Sequence, residues 1–89
     1  MNHIYLEVTF RGGKALAAYL YLPRRTGDSA VRTVKAEGGL IVDFSAYNRP
    51  IGIEITAPHQ VNLLALNRIL ADLHQPLATS NDLAPLLAA

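Results

Sequence analysis

The chain contains no cysteine and no tryptophan, and it has neither a marked charge of one sign nor a long apolar run. Without thiols there are no disulfides, thiolate nucleophiles or cysteine metal sites, and the simplest compartment is the cytoplasm. Eight Lys and Arg stand against seven Asp and Glu, a net charge of +1, and among the basic residues from Arg11 to Arg68 only Arg24 and Arg25 are adjacent. Nucleic acid is therefore not an expected partner, because phosphate recognition needs a concentrated basic patch. No stretch approaches the roughly 20 apolar residues that cross a bilayer. The opening MNHIYLEVTF lacks the basic segment and apolar block of a secretion signal. Neither export nor membrane spanning is expected.

What the chain does have is apolar content: 51% of its 89 residues are hydrophobic. Halves of such a chain would each be too small to fold alone, so residues 1–89 are expected to form one domain with one core. A domain this short hides only roughly 60–65% of its unfolded surface. Part of the apolar excess should then lie against another molecule, which predicts a homo-oligomer, most simply a dimer, or a small protein partner.

A sheet is expected over about 3–56. Ile4, Leu6, Val8 and Phe10 alternate with Tyr5, Glu7 and Thr9, a half-buried strand, and Gly12-Gly13 suits a tight reversal. The next strand places Leu16, Ala18, Leu20 and Leu22 on one face and Tyr19 and Tyr21 on the other. Residues 23–29, PRRTGDS, read as a polar loop, and 30–36 as a third strand. Leu40, Val42 and Phe44, then Ile51, Ile53 and Ile55, give the clearest hairpin, with Asn48 and Pro50 in its connection. Gly52, inside a strand, marks a bulge or a close approach of other atoms.

Thr56 and Pro58 predict a helix start, and Leu63, Leu66, Ile69, Leu70 and Leu73 form one apolar stripe along a helix over about 58–74. Val61 and Leu64 lie off the stripe, as though the helix were touched from a second side. The tail, 77–89, opens on the capping run Thr79-Ser80-Asn81-Asp82 and is too apolar for a disordered segment; a short helical turn is expected, on its own domain or on a neighbour. The fold class is α+β: a small antiparallel β-meander of about five strands, ordered roughly along the chain, with one C-terminal helix packed on one face.

Residues 15–55 resemble the small bacterial family "domain of unknown function 2283". The match lies in Ala18-Tyr19-Leu20-Tyr21-Leu22, Val31-Arg32-Thr33-Val34, Gly39-Leu40-Ile41-Val42-Asp43-Phe44 and Arg49-Pro50-Ile51-Gly52-Ile53-Glu54-Ile55. The resemblance implies a small antiparallel sheet with a helix and no established activity. The acidic, glycine-containing turn usual in the family is replaced here by Ser45-Ala46-Tyr47-Asn48, and Leu16 replaces an early aspartate.

Three constellations bear on function. Asp43 and Glu54 are placed to share the non-core face, with Arg49 approaching from the turn, and paired carboxylates can bind a cation or divide acid and base roles. The plainer reading is a solvated face with a loose ion pair worth about 0–1 kcal/mol. His3, His59 and His74 sit in separate elements without ligand spacing, so no metal or other cofactor is expected. Tyr5, Tyr19 and Tyr21 share the face opposite the core, and with Leu64 they are the candidate interface, which Arg32 and Lys35 could rim. Base stacking on such a face is set aside for want of an RNA-binding motif. The expected function is a non-enzymatic module that self-associates or binds a small protein. Its rivals are a small metal-binding protein or enzyme using Asp43 and Glu54, and an antitoxin-like component of a two-gene system.

Overall fold

In a computed structural model, which describes residues 3–87, the chain forms a five-stranded antiparallel sheet with two helices. The strands are β1 (Tyr5–Arg11), β2 (Lys14–Tyr21), β3 (Arg32–Lys35), β4 (Leu40–Phe44) and β5 (Pro50–Ile55). Helices α1 (Leu63–Asp72) and α2 (Ser80–Leu87) follow. The α+β class and the single helix-covered face agree with the sequence; the order of strands does not follow the chain. The sheet runs β1-β2-β5-β4-β3. β5 carries the buried Ile51, Ile53 and Ile55 and takes the centre, where both neighbours cover it. All four residues of β3 are exposed, which suits an edge. The segment after β2 crosses the end of β5 to reach that edge.

The reversals follow local chemistry. Gly12 and Gly13 both have positive φ in the two-residue β1–β2 turn. Asn48 takes the left-handed conformation that the β4–β5 connection needs (φ 62). The β1–β2 register shifts between Thr9 and Phe10, leaving Leu16 without a partner and turning Ala15 toward the core. Phe10 and Leu16, both expected in the core, are consequently about half exposed (49% and 53%) at the end of this hairpin.

The core lies between one sheet face and the helices, with Leu20, Leu22, Ile53, Ile55, Leu66, Leu70 and Leu83 fully buried. The helix expected over 58–74 is divided. A short 3-10 turn, Pro58–Gln60, comes first, and α1 begins only where the Asn62 side chain accepts from the Ala65 N–H at 2.7 Å. Thr56 is not the cap: its hydroxyl donates to the Gly39 carbonyl at 2.8 Å and ties the end of β5 to the turn before β4. Val61 packs on the core, whereas Leu64 is exposed. His74, at φ 57, ends α1, with its own N–H and that of Gln75 closing back on Ala71 and Leu70.

The tail packs on its own domain. Thr79 and Asp82 cap α2 reciprocally, and the Asn67 side chain both donates to and accepts from the backbone of Ala78. Leu83 and Leu86 then seat in the core, while the final Ala88 and Ala89 lie outside the described residues. Leu83→Ala is expected to cost about 2–5 kcal/mol by leaving a cavity, read as a fall in urea midpoint with an unchanged slope. An unchanged midpoint would mean that α2 is not part of the fold.

Candidate functional site

The helices cover one face of the sheet, so the other is the place to look for function. Strand alternation and register set out its residues in two rows running across the strands. Tyr5, Tyr21, Gly52, Asp43 and Thr33 form one row, and Glu7, Tyr19, Glu54, Ile41 and Lys35 form the next.

Tyr5 and Tyr21 are cross-strand partners whose rings stack at 4.9 Å, and Tyr19 meets Tyr21 edge-on at 4.8 Å. The Arg24 guanidinium lies 5.2 Å from the centre of the Tyr21 ring. The three tyrosines thus form one contiguous aromatic surface on β1 and β2, with Tyr5 46% exposed. Leu64, grouped with them from sequence, belongs to α1 on the opposite side of the sheet and is not part of this surface. Arg32 faces away too, lying over the Phe44 ring and donating to Asn48, so of the expected basic rim only Lys35 is on this face.

Gly52 is where the tyrosine layer meets the acidic pair. The Tyr19 ring crosses β5 above Gly52, and its hydroxyl donates to Asp43 Oδ2 at 2.8 Å. A methyl group at position 52 would overlap the ring and its hydroxyl, so the glycine makes space for a side chain. Asp43 is therefore buried, 7% exposed, and its Oδ1 has no hydrogen-bond partner among the described residues. Burial, then the bond to Asp43, pushes the Tyr19 hydroxyl up to about 12.

Asp43 and Glu54 do share the non-core face, but as diagonal neighbours: Asp43 opposes Gly52, and Glu54 opposes Ile41 on one side and Tyr19 on the other. Asp43 is committed to Tyr19, and Glu54 is exposed. Arg49 joins neither. It binds Asp28 from the crossover loop through Nη2 at 2.7 Å and Nε at 3.2 Å, and these bonds, with the Arg25 backbone N–H, hold the Asp28 carboxyl below its usual value. A nearer carboxylate in the loop thus takes the arginine expected beside Asp43. Among the described residues no three His, Asp or Glu side chains converge as a metal site, and His3, His59 and His74 are exposed on separate elements. Two clefts lie elsewhere, one lined by Lys14, Ala15, Pro58, His59 and Leu86, the other by the crossover loop with Tyr47 and Arg49.

Compared with known proteins, the chain matches no family model, no curated protein and no solved structure.

The Tyr19 bond has a pH signature. The folded chain holds the phenol proton more tightly than the unfolded chain, so the stabilisation is complete below pH 10.0 and is lost as pH rises through about 12. Tyr19→Phe is expected to cost about 1–3 kcal/mol at neutral pH, by leaving Asp43 buried without a donor, and to flatten that alkaline loss in urea titrations. An unchanged alkaline limb would assign the loss to another group.

Proposed function

We propose that this chain is a non-enzymatic interaction module that works by self-association through the open face of its sheet. The observation that carries the reading is the contiguous Tyr5, Tyr19 and Tyr21 surface on the sheet face opposite the described helices. Tyrosine suits such a role because its ring gains from burial and its hydroxyl tolerates water, so the face is stable both alone and covered. The high apolar content for so short a chain supports the same reading. Against a catalytic or metal role, Asp43 is occupied by Tyr19, and among the described residues no group of three His, Asp or Glu side chains gathers at Glu54. We carry kinship with the bacterial "domain of unknown function 2283" and a cytoplasmic location as proposals that rest on the sequence.

The molar mass measured by sedimentation equilibrium should rise with concentration, reaching a dimer. Replacing Tyr5 and Tyr21 together by alanine should weaken the association at least tenfold while circular dichroism keeps the fold. A chain that stays monomeric to about 1 mM, where an affinity of roughly −4 kcal/mol would already be visible, would overturn the reading.

A further inference from the structure

Resting on that reading, the open face also specifies how two copies meet. Its bulk is uneven. Tyr5 and Tyr21 stand on β1 and β2, the Tyr19 ring fills the middle above Gly52, and Ile41 and Thr33 make a shallower half on β4 and β3. Its charge is uneven in the same direction: the row that starts with the exposed Glu7 on β1 ends with the exposed Lys35 on β3. Neither of these residues takes part in an ion pair among the described residues.

A two-fold axis parallel to the strands, lying between two stacked sheets above β5, reverses the strand order from one copy to the other and keeps each row in place. The tall half of each copy then meets the shallow half of the other, with Tyr5 over Thr33 of the second copy, Tyr21 over the Asp43 edge, and the two Tyr19 rings meeting near the axis. An axis perpendicular to the strands would instead set Tyr5 and Tyr21 on tyrosines and leave the shallow halves apart. We infer that the chain forms a face-to-face dimer about the strand-parallel axis, registered by two ion pairs between Glu7 of each copy and Lys35 of the other.

The available area agrees with a reversible dimer. Five strands about 4.8 Å apart, each contributing about five residues at ~3.3 Å, present roughly 400 Å² in projection, on the order of 1,000 Å² of accessible surface for two copies. That lies at the lower end of specific interfaces, where charge register has weight. The same axis sets Glu54 beside its own copy, the one unfavourable match in the arrangement.

The test is sedimentation equilibrium of full-length wild type, Glu7→Lys, Lys35→Glu, the double variant, and an equimolar mixture of the two single variants. Each reversal alone should weaken dimerisation at least tenfold, because it sets two pairs of like charges in contact. The double variant and the mixture should return to within about threefold of wild type, and Glu54→Gln should associate more tightly than wild type by about threefold or more. Both reversed positions are exposed, and circular dichroism checks the fold of each variant. A wild type that dimerises while neither the double variant nor the mixture recovers would overturn this stacking and leave self-association standing. Weaker association of Glu54→Gln would also overturn the stacking. A monomeric wild type would overturn both.

Discussion

The crossing of Tyr19 over β5 is the constraint from which the rest of the sheet follows. Its ring starts on β2, passes above Gly52 and ends as a donor to Asp43 on β4, so one side chain fastens three strands. Each part depends on the others. Asp43 at 7% exposure needs a donor, since an ionisable group buried without one is costly, and among the described residues only the tyrosine reaches it. The tyrosine needs the glycine, because any side chain at position 52 would occupy the path of the ring. With β5 fixed between β2 and β4, the strand that follows β2 in the chain has no place beside it and takes the far edge.

That displacement calls for a long connection, and the charged residues of PRRTGDS hold it in position. Arg24 donates to the Ile51 carbonyl at the start of β5, and Asp28 receives the fork of Arg49 from the same region, so the loop is pinned on both sides of the strand end it crosses. The Asp28 side chain is only 4% exposed, which makes its two-point bond to Arg49 more than a loose surface pair. Residues that from composition read as a polar loop thus work as a clasp.

The sequence carries the elements of this fold more clearly than their arrangement. Period-two alternation in Ile4 to Val8 and in Ile51 to Ile55, and the stripe from Leu63 to Leu73, reflect burial on one side and read directly. Strand order is a matter of long-range pairing, which local periodicity does not encode; the exposed Arg32–Lys35 and the isoleucine-rich β5 were its only trace. Thr56 and Pro58 are good capping chemistry in themselves, but the cap is Asn62, six residues after Thr56, whose extended backbone lets its side chain accept from the Ala65 N–H. At the site, the shared face of Tyr5, Tyr19 and Tyr21 was legible because alternation fixes it. The partner of Arg49 was not, because Asp28 is distant in sequence and reaches it only through the crossover. Gly52 was the one local sign of the Tyr19 crossing.

The same crossing bears on the proposed association. A reactive carboxylate needs a free oxygen facing a cleft, and the tyrosine lies over Asp43 and takes one oxygen. What remains at the surface is the aromatic layer itself, held rigid by ring contacts and by the Asp43 bond. Rigid side chains lose little conformational freedom when a partner covers them, so more of the apolar contact appears as affinity. Partial exposure limits how much apolar area is left to bury, which favours a reversible complex over an obligate one. The glycine that admits Tyr19 to Asp43 therefore sets two properties at once, covering the acid and stiffening the aromatic surface that is proposed to meet a second molecule.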